Sequence, residues 1–433
     1  MSAAWMALGV ASLLVSGALS VLVTAAKMPF LRPWVTDLEL VRRCLVVHVN
    51  LATLVWFAAI PVSLTISQVW DREPRTAPLG FFSALLGITL MAASAFLPGA
   101  HAVLSNYIPV LTHPMHDAGL ALFFAGVLVN YLHPDAVFFK NTAGPFAESR
   151  VGIWVGGAFF LAACAALLIT FPSLDRGSFQ DVKTYFEIGM WGGGHLLQHS
   201  SSVFLLVCWV YLLRASGLQG GVLADVKWIF GLLAVPLTIV PFLFALSPWS
   251  NEYRGAFTNL MKWGIAPPLL LFIAGIIVKL LRSERTATPE AHLSRITWMF
   301  SAFLMILGFT FGALIEGPDL RVPGHYHATI GAVTIAFLVV SWRRLIRADR
   351  DDPLLRAAVW CYGVGQTLFA SGMFTAGAFG VGRKTYGAEH TLPHLGQKAG
   401  MGMLGVGGTV ALLGGVLFGV AIARGWRHGR RAS

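Results

Sequence analysis

Apolar runs of about 20 residues, the length a helix needs to cross a bilayer, recur along the whole chain with short polar punctuation between them. Twelve such runs are predicted to be membrane-spanning helices, near residues 4–26, 40–66, 79–98, 116–133, 151–172, 183–213, 225–247, 256–281, 293–315, 322–342, 355–379 and 398–423. The pattern is least regular between 183 and 281, where Pro236, Pro241, Pro248, Pro267 and Pro268 interrupt it. No Gly/Ser linker or low-complexity tract divides the series, so residues 1–433 read as a single polytopic transmembrane domain. No internal repeat is visible, which counts against the repeat-built transporter folds. The first run, Ala4 to Ala26, is long enough to span and meets its first basic residue only at Lys27. It is therefore expected to be a retained helix rather than a cleaved signal peptide.

Composition sharpens this to an all-α integral membrane protein. Hydrophobic residues make up 56% of the chain and charged residues only 12%, about half the usual ~25% of a soluble domain. The net charge of +11 would suggest nucleic acid in a soluble protein. Here the basic residues fall in short loops between apolar runs, so the lipid bilayer is the expected partner and nucleic acid is not. With twelve spans both termini share a side, and its loops and span ends hold 19 Lys/Arg against 12 opposite. Arg343, Arg344, Arg347, Arg350, Arg424, Arg427, Arg430 and Arg431 belong to the richer side, which is expected to be cytoplasmic. Cys44, Cys164, Cys208 and Cys361 show neither disulfide nor zinc spacing and read as small apolar packers.

Candidate chemistry lies in the histidines. In Pro323-Gly324-His325-Tyr326-His327, two imidazoles stand two positions apart at the start of an apolar run. Residues i and i+2 of a helix point to nearly opposite sides, so the pair can grip two different groups. On the predicted topology His48 lies about eight residues, roughly 12 Å, below the outer surface. His325 and His327 lie a few residues in, and His195 about a dozen, so all four fall in the outer half of the membrane. An intramembrane imidazole is costly and marks a functional site by default, with a packed, hydrogen-bonded side chain as the plainer alternative. Neutral imidazole binds haem iron, copper and non-haem iron. Two histidines clamp a haem with no open site, one leaves a face open, and a His-x-His helix can supply one ligand to each of two haems.

These motifs resemble subunit I of the haem-copper oxidase superfamily, in its nitric oxide reductase and C-type cytochrome c oxidase-like branch. Pro323-Gly324-His325-Tyr326-His327 is similar to the family's helix ten, and Cys44-Leu-Val-Val-His48-Val-Asn50-Leu-Ala-Thr-Leu to its helix two. Trp191-Gly192-Gly193-Gly194-His195 is similar to its helix six. The resemblance implies a subunit I-like bundle of about twelve transmembrane helices, with a low-spin haem on His48 and His327 and a high-spin haem on His325. His195 would be the distal group of the reactive haem. Arg383-Lys384 looks like a stretch that pairs with haem propionates. It further implies two haems, b-type, electrons from a c-type cytochrome subunit or donor, and a bacterial inner membrane with both termini cytoplasmic.

The sequence departs from the family at the non-haem metal. No histidine occurs between His199 and His292, and Thr258 and Asn259 stand where a His-His pair is expected. His195 and His199 are one helical turn apart and could share a metal, with Glu187 as a conceivable third ligand. Non-haem iron or copper is therefore in doubt, and His199 reads equally as a packed polar side chain. Gly192, Gly193 and Gly194 would admit a haem or a neighbouring helix, or serve ordinary packing. Glu316 and Asp319 could carry protons or simply be solvated. His113, His116, His390 and His394 read as outer-loop residues, either a surface metal site or, more simply, solvated. No Cys-x-x-Cys-His for covalent haem is present. The leading expectation is an enzyme, a dihaem membrane oxidoreductase that reduces nitric oxide or dioxygen at the His325 haem. The alternatives are a haem relay or gas-sensing subunit that has lost the binuclear reaction, and a histidine-lined transporter.

Overall fold

The computed structural model describes residues 1–26, 37–69, 76–133, 146–223, 225–282, 288–346, 352–383 and 394–432. Helix starts are set locally. His113, Thr288 and Asp352 each cap a helix whose first residue is proline, accepting bonds from Met115 N (3.2 Å), Ala291 N (3.2 Å) and Leu354 N (2.8 Å). The cap satisfies an orphan N–H, and proline at the first position has none to lose. Inside spans, Pro61, Pro236, Pro241, Pro267 and Pro268 are carried within continuous helices. Membrane helices tolerate proline because neighbouring groups re-satisfy the freed carbonyls. Pro236, Pro241, Pro267 and Pro268 therefore do not break spans, and Pro248 lies in the turn just before Asn251. The break in that region comes instead at Met190, which divides the predicted 183–213 run into two helices.

Two compact units are distinguished, Met1–Val207 with Gly221–Ile276, and Cys208–Gly220 with Ile277–Ser433. The first opens with α1 (Ser2–Ala25), α2 (Leu38–Val49), α3 (Trp56–Val69) and α4 (Ala77–Ser94). A two-stranded antiparallel ladder follows, β1 (Ala102–Val103) and β2 (Val110–Leu111), in the register Ala102↔Leu111. Then come α5 (Pro114–Tyr131), α6 (Arg150–Thr170), α7 (Val182–Gly189), α8 (Trp191–Ala215) as far as Val207, α9 (Val226–Leu243) and α10 (Asn251–Leu281) as far as Ile276. A six-residue π-helical segment, Asn50–Val55, joins α2 to α3 without a break. The second unit holds α11 (Pro289–Ala313), α12 (Arg321–Ile346), α13 (Pro353–Ala378) and α14 (Leu395–Ala432). Every predicted span coincides with helix. Among the described residues, ten helices are long and apolar enough to cross a membrane; α5 and α13 are long helices at the other two predicted positions. The chain is an all-α, multi-helix membrane protein.

Packing within each unit runs on small residues at seven-residue spacing. On α4 and α5, a Cβ at Gly87 would come 2.5 Å from the Gly119 carbonyl oxygen, and one at Gly80 would come 2.8 Å from that of Gly126. On α14, Gly400, Gly407 and Gly414 lie against the backbone of α13 at Ala376, Gly365 and Tyr362. Helices in lipid have no water-driven attraction for each other, so close backbone approach supplies the contact. One residue away from this seam, Val406, Leu413 and Val420 are exposed, a stripe suited to acyl chains. On α9, Trp228, Val235 and Phe242 form a similar exposed row.

This arrangement makes the glycines unequal. Gly407→Val would drive a side chain into the α13 backbone and is expected to cost about 1–3 kcal/mol. Gly402→Val, where nothing lies within 4 Å, is expected to be neutral. Thermal unfolding of the two variants in the same detergent measures the difference.

Candidate functional site

Four intramembrane histidines use one device. An imidazole has a donor and an acceptor nitrogen, and whichever nitrogen faces a carbonyl must carry the proton. His48 Nδ1 lies 2.8 Å from the Ser16 carbonyl oxygen on α1. His325 Nδ1 lies 2.7 Å from the Gly308 carbonyl on α11. His195 Nδ1 lies 2.7 Å from the Trp191 carbonyl, and His199 Nδ1 lies 3.2 Å from that of His195. In the rings of His48, His195 and His325, Nδ1–H therefore donates to backbone and the lone pair sits on Nε2, whereas His199 meets a second carbonyl, that of Leu260. This is the second-shell arrangement that orients imidazole as a ligand and raises its basicity.

The surroundings of the four differ. The Ser16 hydroxyl lies 2.9 Å from His48 Nδ1 and donates to the His48 carbonyl at 2.9 Å, so one buried serine holds both ring and backbone. Directly after His48 the helix widens into the π segment, a feature concentrated at functional sites. His325 is seated over two glycines of α11, since a Cβ at Gly312 would meet its ring at 2.8 Å. His327 turns to the other neighbour, α13. Its carbonyl accepts from Gln366 Nε2 at 2.7 Å and its ring stands edge-on to Phe369 at 4.9 Å. The His-x-His pair thus serves two different helices.

His195 is 2% exposed and enclosed by aromatics. Tyr107, from the loop between β1 and β2, places its hydroxyl 3.2 Å from both ring nitrogens. Among the described residues Tyr107 is the one non-glycine residue with positive φ, at 67°. A bulky residue held there costs about 1–3 kcal/mol and persists only where its surroundings over-determine it. Burial, with the Glu187 carboxylate adding to it, drives the phenol well above its ordinary pKa, so it is neutral and able to donate. The glycine run before His195 explains the seat. Gly194 admits the Tyr107 ring, Gly192 the Tyr253 hydroxyl and Gly193 the Leu167 side chain. These three glycines serve side-chain packing within the first unit.

His199 is fully buried, stacked on Phe159 at 4.6 Å, with Nε2 facing Gly264, where a Cβ would come within 2.7 Å. That nitrogen completes no hydrogen bond, although the Leu260 carbonyl interacts with the ring. Thr258 Oγ1 bonds the Arg254 carbonyl at 2.7 Å. Among the described residues no three His, Cys, Asp or Glu gather as a metal site. Glu187 pairs with Lys183 at 3.8 Å on α7. The residues therefore suit imidazole-ligated haem at His48 and His325 and do not suit a non-haem metal at His195 and His199.

Several outer residues have structural roles. His113 caps α5. His116, expected in a loop, is fully buried and lies 3.2 Å from Asn50 Nδ2 at the start of the π segment. His394 is exposed, whereas His390 and Lys384 lie outside the described residues. Asp319 binds Arg321 through both oxygens at 3.1 and 2.7 Å, and Arg321 also holds Glu316 at 2.7 Å. Asp319 bridges to Gly382, beside the half-buried Arg383, which ties the start of α12 to the segment after α13. Tyr107, Ser16, Gly308 and the Asn50–His116 pair escaped sequence reasoning. Asn50, two residues from His48, was the one clue to the last pair.

The chain matches no established family profile. It is 30% identical over 346 residues to an uncharacterised protein of Aquifex aeolicus, covering 79% of this chain and 83% of that one. It is 24% identical to an uncharacterised protein of Rickettsia prowazekii, covering 96% and 94%. A chain of a haem-copper terminal oxidase dimer solved by cryo-EM superposes with a TM-score of 0.69 at 15% identity, over 98% of this chain and 84% of that one. This chain belongs to one family with the Aquifex protein, on the haem-copper oxidase fold. Thr258 and Asn259 lie on α10 and His199 on α8.

The Asp319–Arg321 pair yields a pH test. Burial raises the Asp319 carboxyl, but the Arg321 hydrogen bonds outweigh it and hold the group below its ordinary value. A depressed native pKa means the unfolded chain takes up the proton first as pH falls. The contribution is complete above the ordinary carboxylate range and is lost as pH drops through the native value. The melting temperature of Asp319→Asn is expected to lie below that of the native protein at neutral pH, and the gap is expected to narrow as pH falls through the lowered native value.

Proposed function

We propose that this chain is a haem-carrying membrane oxidoreductase that passes electrons from a low-spin haem b to a high-spin haem reducing a small diatomic gas, nitric oxide or dioxygen. The observation that carries this reading is the histidine device. His48 and His325 each spend Nδ1–H on a carbonyl of a neighbouring helix, which directs the Nε2 lone pair as a ligand. The fold match supports it. His48 and His327 are assigned to the low-spin haem and His325 to the high-spin haem. Bound haem supplies one-electron transfer and an open coordination position for gas.

The chain's own groups do the rest. Ser16 and Gly308 hold the two imidazoles in one tautomer and orientation. Arg383 and Lys384 are assigned to propionate pairing. A c-type cytochrome, as subunit or diffusing donor, supplies electrons, and both termini lie in the cytoplasm of a bacterial inner membrane. A second reading, a haem relay or gas-sensing subunit, is favoured by the closed surroundings of His195 and His199.

Purified protein is expected to show a Soret band and two b haems per chain by pyridine haemochrome. His48→Ala is expected to lose the low-spin spectrum and keep the high-spin one. Absence of a Soret band would overturn both haem readings, and loss of both haems in His48→Ala would contradict the ligand assignment. Consumption of nitric oxide or dioxygen by the reduced protein supports the enzyme, and consumption of neither supports the relay.

A further inference from the structure

We propose that the exposed face of α14 holds a phospholipid with a net negative headgroup, its phosphate on Arg424 and Arg427 and its acyl chains along Leu413, Val416 and Val420. The argument begins with helical angle. At about 100° per residue, Val406, Leu413, Val416, Val420, Arg424 and Arg427 all fall within an arc of roughly 80°. Each of them is exposed. Further along the same face a Cβ at Gly402 would meet nothing within 4 Å, so no described element lies over it there either. The apolar positions lead directly into the basic ones, which is the order of contacts one amphiphile makes when it lies along a helix. The lengths agree as well. Leu413 is about 21 Å along the axis from Arg427, and one leaflet is about 20 Å deep with its headgroup included. The stretch of α14 long and apolar enough to span a membrane ends at Arg427.

Charge selects the headgroup. Arg424 and Arg427 stand one turn apart on this face, and like charges at that spacing repel unless an anion lies between them. The helix itself supplies none, because Leu395–Ala432 contains no Asp or Glu. A Cβ at Gly425 would come 2.8 Å from the Ile346 side chain, so the last turn of α12, with Arg343 and Arg344, lies beside this turn of α14. Arg343 is buried and bonds the Glu290 carbonyl at 3.0 Å. At the same end of the unit the Asp352 carboxylate is taken up as the cap of α13, by the Leu354 and Leu355 amides. Guanidinium forks match phosphate oxygens, and basic clusters where helices leave the membrane take acidic lipid headgroups. A zwitterionic lipid would bring its own cation into the same cluster, which is why the net negative class is preferred. Trp426, 53% exposed, stands at the same level, where an indole sits among headgroups.

Native mass spectrometry of the purified, delipidated full-length protein, incubated with equal amounts of phosphatidylglycerol and phosphatidylcholine, tests this. Phosphatidylglycerol adducts are expected to exceed phosphatidylcholine adducts about tenfold. That preference is expected to be lost in the double variant Arg424→Gln, Arg427→Gln. It is expected to survive in Arg424→Lys, Arg427→Lys, which keeps the charge, and in Lys398→Gln, at the opposite end of α14. Equal binding of the two lipids by the native protein, or a preference that the double Gln variant retains, overturns the proposal. A lipid-free dimer that dissociates in Leu413→Trp assigns the face to a second copy of the chain and overturns it too. The readout does not depend on haem, so failure here leaves the haem assignment of His48, His325 and His327 standing.

Discussion

In a bilayer an imidazole N–H has no water to turn to, so it must find an acceptor within the protein. The histidines meet this requirement with backbone carbonyls, and much of the architecture is arranged to bring those carbonyls close. The Ser16 carbonyl reaches His48 because α1 packs along α2 and α3. The Gly308 carbonyl reaches His325 because α11 presents glycine where α12 carries the ring. Satisfying the proton decides the tautomer, and the tautomer decides which nitrogen has a lone pair to offer. A solvation constraint thereby fixes the direction in which each ring presents its lone pair.

The same device ends differently at His195. The ring is oriented as the others are, yet a strained loop brings a phenol to 3.2 Å from both its nitrogens. A fold whose helices are kept while one set of polar side chains is exchanged can change its chemistry without changing its shape. Thr258 is bonded back to its own helix at the Arg254 carbonyl, as an ordinary helix residue.

Much of this was legible in the sequence because it follows from helical period. The apolar runs located every span, and i, i+2 spacing placed His325 and His327 against different neighbours. The prolines made the region from 183 to 281 look irregular, yet the spans read through Pro236, Pro241, Pro267 and Pro268 are helices that carry them. The glycines before His195 announced close approach but not of what; the answer, Tyr107, lies in a six-residue loop with no periodicity to betray it. His116 looked like a loop histidine because its partner, Asn50, is distant in sequence and meets it only after folding.

The π segment after His48 has one more implication. A helix with i→i+5 bonding holds one residue more per turn than the α-form around it. Asn50–Val55 therefore takes up one extra residue between the half of the span that bears His48 and Ser16's partner carbonyl, and the half that packs as α3. Six residues at roughly 80° each turn through about as much as five α residues at 100°, so a residue deleted here would leave an unbroken α-helix with both halves facing as before. Histidine and core would keep their neighbours, which makes this segment the place in the span where chain length can change at least cost to packing.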